Sequence, residues 1–133
     1  MGKFEDAQHE AAHVVVGVAL GLVLIRATVT ASGDDLGFAE FEDGPREANL
    51  IMFAAGVAWE RRVGDLVYAQ GDLEILRGTF RVRGTARLVA LERAAWAILE
   101  TRSALHARVT RALLERDLDA RTVREMWAKS HPE

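Results

Sequence analysis

Cysteine is absent from this chain of 133 residues. That absence excludes disulfides, thiolate metal sites and a cysteine nucleophile together, and it fits a reducing compartment. A basic block is lacking too: 17 Lys and Arg are interleaved with 20 Asp and Glu, for a formal net charge of −3. Such a pattern offers no electrostatic footprint for nucleic acid or anionic lipid. Long hydrophobic runs are also missing. The longest, Val14 to Ile25, is too short to cross a bilayer. Glu5, Asp6 and Glu10 precede it and Arg26 follows, whereas a secretory leader places basic residues first and a cleavage site after. There is no internal repeat and no low-complexity linker. Half the residues are hydrophobic and 28% are charged, so a single compact domain over residues 1–133, cytoplasmic and off the membrane, is the expectation.

What is present has the periodicities of an α+β domain that is predominantly helical. Phe4 to Leu20 reads as a helix offering Phe4, Ala11, Val14, Val15 and Val18 to a buried face, with Gly17 and Gly21 weakening its end. Leu22 to Ala31 and Leu36 to Glu42 read as two strands around the turn Ser32-Gly33-Asp34-Asp35, a small hairpin whose second strand has one wet face. Asp43-Gly44-Pro45 announces a helix from Arg46 to Val63, ended by Gly64, with Leu50, Phe53, Ala54, Val57 and Ala58 inward. After the connector Asp65–Gly71 the pattern is helical again, with breaks near Gly78 and Gly84. One long segment from Ala86 to Glu115 follows, then a short helix capped by Asp119 and running through Trp127. These last elements form a helical C-terminal bundle.

The chemistry concentrates at His9-Glu10-Ala11-Ala12-His13, an HExxH string. On a helix, residues four apart share a face, so both imidazoles reach one ion. Glu10 is rotated away from that face and suits a general base acting on water rather than a ligand. The plainer alternative is a surface pair on an amphipathic helix. A catalytic zinc site needs a third protein ligand, and the carboxylates Glu40, Glu47, Glu60, Asp65, Asp72 and Glu74 are all available downstream. Spacing does not choose among them. His131 belongs to a frayed tail and His106 to a long helix with a solvated or capping role. Asp72 also reads as an N-cap for a helix beginning at Leu73, and Glu60 reads equally as a solvated charge beside Arg61 and Arg62.

Four blocks in order, together covering most of the chain, resemble the peptidase domain of the FtsH family of ATP-dependent zinc proteases. His9-Glu10-Ala11-Ala12-His13 is similar to its HEAGH. Ile25 to Phe41, with Leu36-Gly37-Phe38, resembles its strand-turn-strand. Phe53-Ala54-Ala55-Gly56-Val57-Ala58-Trp59-Glu60 with Val63-Gly64 resembles the "AGRAAEE…FG" helix, and Gly71-Asp72-Leu73-Glu74 resembles "SNDLERA". The ending, Leu113-Leu114-Glu115 and Leu118-Asp119 through Met126, is similar as well. The resemblance implies zinc held by His9, His13 and Asp72, with Glu10 as base. It also implies Glu60 as a partner orienting one imidazole. Asp72 would be held on a rigid helix start, with Gly71 permitting close backbone approach. Ala12 stands where the family has glycine and Gly71 where it has asparagine. The region between Asp72 and Ala94 is shorter than the family's, and neither the ATPase module nor the membrane anchor is seen.

The function so implied is a stand-alone zinc metalloendopeptidase that hydrolyses peptide bonds in flexible or unfolded chains. The strand near Gly37 to Phe41 would take an extended substrate by strand addition. The alternative is a catalytically inactive, zinc-stabilised binding or regulatory module derived from a peptidase. Tyr68, the single tyrosine, is the candidate oxyanion donor. Trp59, Trp96 and Trp127 read as core or interface residues. The close-packing face of Ala94, Ala95 and Ile98 suits a homo-oligomer.

Overall fold

The computed structural model describes residues 2–29, 37–64 and 66–130. Six helices and one two-stranded sheet make up these residues: α1 (Lys3–Ala19), β1 (Leu24–Thr28), β2 (Phe38–Phe41), α2 (Arg46–Val63), α3 (Gln70–Glu74), α4 (Thr85–Thr101), α5 (Ser103–Leu113) and α6 (Ala120–Ser130). The fold is predominantly helical α+β. No helix among the described residues is long and apolar enough to cross a membrane.

Helix α1 is the central element. From Asp6 to Gly17 every residue except Gln8 is buried, because α2 and α5 flank it and the sheet covers its C-terminal half. Gly17 does not end it. The Phe41 ring of β2 packs where a Cβ at Gly17 would sit, 2.4 Å from the nearest ring atom, and the helix runs on to Ala19. Phe4 corrects the expected inward face: it is 48% exposed at the first turn.

The strands pair antiparallel, Thr28 with Phe38 and Leu24 with Phe41, with an irregularity between Leu24 and Arg26. Both are shorter than expected, and the turn at Ser32–Asp35 lies outside the described residues. On the other side of β1, Ala27 and Leu118 exchange both backbone hydrogen bonds at 2.9 Å, which fastens the segment before α6 to the sheet.

Helix α2 has the bounds that its punctuation announced and separates two apolar clusters. Ala55 and Ala58 face α1, Leu99 and Leu105. Leu50, Ala54 and Val57 face Leu73, Leu76, Leu88 and Leu91. Full burial of each such leucine contributes about 2 kcal/mol. After α3 the helix widens into a π-helical turn, Ile75–Thr79, in which the Phe80 N–H reaches back to the Ile75 carbonyl. Gly84, at φ +80°, starts α4. The expected single segment Ala86–Glu115 is two helices, broken at Arg102, so that α5 folds back against α1.

Candidate metal centre

A central helix pays heavily for ionisable side chains unless each finds a partner. Helix α1 carries four at buried positions: Asp6, His9, Glu10 and His13. The one-turn spacing stacks the two imidazoles edge to face, with ring centroids 4.8 Å apart. Each Nδ1 is engaged away from its neighbour. That of His13 lies 2.8 Å from the Met52 carbonyl, and that of His9 lies 2.5 Å from Glu60 Oε2. The Met52 carbonyl can only accept, so His13 Nδ1 donates to it; Glu60 meets His9 Nδ1 as a close ion pair, and both Nε2 atoms face inward.

Asp72 completes the arrangement. It sits within the first turn of α3, and Ala69 occupies the cap position, so the N-cap reading does not hold. Its Oδ2 lies 2.9 Å from His9 Nε2 and 3.0 Å from His13 Nε2, and the two Nε2 atoms are 3.2 Å apart. The two Nε2 atoms and the Oδ2 atom thus form a nearly equilateral triangle. Tetrahedral zinc at the usual ~2.0–2.1 Å bonds sets its ligands about 3.3 Å apart, so a few tenths of an ångström of expansion fits the donor set to the ion. His9, Glu10 and His13 also form a group that could hold a metal, with ligand atoms within 4.8 Å of one another. Asp72 approaches both imidazoles more closely than that, which leaves Glu10 beside the triangle rather than in it.

The electrostatics respond to this crowding. Burial opposes charge on His9, yet contacts to Asp72 and Glu60 outweigh it and push its pKa up to about 10. His13 is likewise raised: burial acts against its charge, and Asp72 overcomes it. Asp72 is partly buried, which opposes its charge, but His13 and His9 hold its carboxyl well below the usual range. Glu10 goes the other way, pushed to about 7 by burial against the attraction of both imidazoles. A site that draws protons into the space between three donors is one where a cation would displace them.

Glu60 couples two parts of the site. Its Oε2 meets His9, while its Oε1 accepts the backbone N–H groups of Val67 and Tyr68 (2.9 Å for Tyr68). The connector that delivers Asp72 is therefore tied to the residue that orients His9. The solvated reading of Glu60 is replaced by a buried one. Its carboxyl is lowered despite burial, because His9 and those N–H groups stabilise the charge.

Close backbone approach occurs at Gly56, not at Gly71. Around Gly71 nothing lies within 4 Å of where a Cβ would be. A Cβ on Gly56 would stand 2.3 Å from His9 Cε1 and 2.8 Å from both Asp72 Oδ2 and His13 Nε2. Asp6, also unforeseen, accepts the Gly37 N–H at 3.0 Å and fastens the approach to β2 onto α1. Burial raises its pKa. The signals for both were legible only as oddities: a glycine in mid-helix and an aspartate on a buried face.

The other candidates lie elsewhere. Glu47 pairs with Arg87 at the surface, Glu74 is exposed, and Glu40 lies on β2 outside the triangle. Asp65 and His131 fall outside the described residues. His106 is neither solvated nor a cap: it is buried against the Trp59 ring at 4.1 Å, and its Nε2–H donates to the Gln8 carbonyl at 2.9 Å. The Tyr68 ring lies 6.0 Å from His9, with its hydroxyl donating to the Gly2 carbonyl. Ala12, where a glycine stands in the resembled motif, is accommodated fully buried.

A cavity of about 260 Å³ opens onto the triangle between Phe38, Phe53 and Tyr68. A second hollow of about 390 Å³, floored by Met52, Phe53 and Phe80 and rimmed by Glu40, Glu42 and Asp43, shares Phe38 and Ala39 with it. No family model matches the chain and no curated protein matches it.

Proposed function

We propose that this chain is a zinc-dependent metallopeptidase-like domain, similar in plan to the FtsH peptidase and acting on flexible or unfolded peptide segments in the cytoplasm. One observation carries the reading: two buried imidazoles, their Nδ1 atoms facing the Met52 carbonyl and Glu60, bring their Nε2 atoms together with Asp72 Oδ2 at edges of 2.9 to 3.2 Å. His9, His13 and Asp72 would hold the ion. When bound, zinc supplies Lewis-acid polarisation of water and of the substrate carbonyl.

The chain's own residues account for the remainder. The Glu10 carboxylate takes a proton from the attacking water and passes it to the leaving amine nitrogen. Burial raises the pKa of that carboxyl, which makes it a stronger base than an exposed glutamate. Met52 and Glu60 keep the imidazoles in the tautomer that faces Asp72. An extended peptide pairs with the outer edge of β2, its backbone supplying affinity with little sequence preference. Its side chains reach the hollow between Phe53 and Phe80.

The test uses two substitutions. His13→Ala should lose stoichiometric zinc. Glu10→Gln should retain zinc and lose cleavage of an unstructured peptide by about 10²-fold or more. Zinc bound by the wild type without cleavage of any unstructured peptide favours the inactive, metal-stabilised module instead.

A further inference from the structure

Five arginines scattered through the sequence converge on one groove, away from the metal centre. Its long wall is a single stripe of α4: Thr85, Leu88, Val89, Glu92, Arg93 and Trp96 recur at steps of three and four, one helical face about 16 Å long. Across from it stand Arg61 and Arg62 at the end of α2, and Arg77 from the π-helical turn. The hollow has a volume of about 380 Å³ and continues past Arg77 into another of about 300 Å³, where Arg83 joins.

Most of the positive charge in this groove is unmatched by the residues that line it. Glu92 is the only carboxylate among the lining residues, and Arg61 takes it in two hydrogen bonds, at 2.6 and 3.2 Å. Arg62 lies over the Trp96 ring, 4.4 Å from its centroid, which orders its guanidinium. Among the described residues no carboxylate pairs with Arg77, Arg83 or Arg93. A chain of net charge −3 therefore holds a concentrated positive field on one face. The floor beneath is apolar, made by Ala58, Leu88, Val89 and Trp96, with Val89 37% exposed.

We propose that this groove docks an acidic segment of a partner protein, anchored by apolar side chains at helical or extended spacing. Arginine forks engage carboxylates in bidentate pairs, and the floor takes the apolar residues between them. Sixteen ångströms accommodates about three helical turns or about five extended residues. A nucleic acid strand would prefer a continuous basic track with open aromatic faces. Here the charges sit on the walls, and Trp96 is overlain by Arg62. The proposal is independent of the metal site and holds whether or not the domain is a peptidase.

Fluorescence anisotropy with the full chain tests it. The probe is a labelled peptide of about fourteen residues with Glu and Leu on one helical face. Saturable binding that weakens with salt is expected. It should fall about tenfold or more in Arg77→Glu/Arg93→Glu, and also in Val89→Asp, which keeps every arginine. Both variants alter exposed positions, and an unchanged unfolding temperature verifies the fold. Unaltered binding in either folded variant overturns the proposal. So does equal binding of polyglutamate or of a short single-stranded DNA, or self-association of the chain that the double variant abolishes.

Discussion

Replacing Gly56 by alanine probes the metal centre through a residue that ligates nothing. In an ordinary helix interior the change is favourable by about 1 kcal/mol. At Gly56 the new carbon would stand 2.3 Å from His9 Cε1 and 2.8 Å from Asp72 Oδ2. Ordinary contact between carbon atoms needs roughly 3.5–4.0 Å, so His9 must retreat by about 1 Å or α1 must lift from α2. Overpacking of that kind costs ~1–3 kcal/mol, which cancels or exceeds the helical gain. For a bound ion the consequence is sharper, because coordination tolerates deviations of only about 0.2 Å. Zinc affinity should fall by about 10–100-fold, the scale seen when a ligand loses its orienting partner. Competition against a chromophoric chelator reads this directly. Gly71→Ala is the matched control: it lies beside Asp72 with nothing within 4 Å of its Cβ, and it should leave affinity unchanged. Wild-type zinc affinity in Gly56→Ala, with a raised unfolding temperature, would refute the reasoning.

Glu60→Gln removes the charge facing His9 Nδ1 while leaving an acceptor for the connector amides. Zinc affinity should drop about 10–100-fold with little change in thermal stability, measured by the same competition. Leu91→Ala opens the fully packed space between α2 and α4 and should cost about 2–5 kcal/mol in urea unfolding, with the metal site intact. His106 gives a pH signature. Burial lowers its pKa below 6.5, so as pH falls past 6.5 the unfolded chain takes up a proton that the folded chain resists. The stability of the wild type relative to His106→Gln should therefore decline on acidification through 6.5, and level off below the folded pKa. A pH-independent difference would disprove it.

Local punctuation carried much of the fold. Asp43-Gly44-Pro45 and Gly64 bracket α2 because each residue has a conformational reason to stop or start a helix, and Asp119 caps α6 through the Thr122 N–H at 2.9 Å. The break at Arg102 has no such marker. Neither glycine nor proline stands there, and the turn follows from α5 packing back onto α1, which periodicity does not encode. The site divides in the same way. The imidazole pair is set by helical geometry alone. Asp72 is 59 residues from His13, and only its resemblance to a known segment singled it out among six carboxylates. Gly56 was invisible because its role is the volume it leaves empty.

The bridge between Ala27 and Leu118 makes the small sheet asymmetric. With β1 sealed on that side, β2 is left as the one open border among the described residues, so a guest chain can extend the sheet in a single direction, next to the imidazoles. A protein cut short before Leu118 would have two open borders instead. The main-chain groups of Ala27 would then be free to pair with another molecule, a hazard that this one bridge removes.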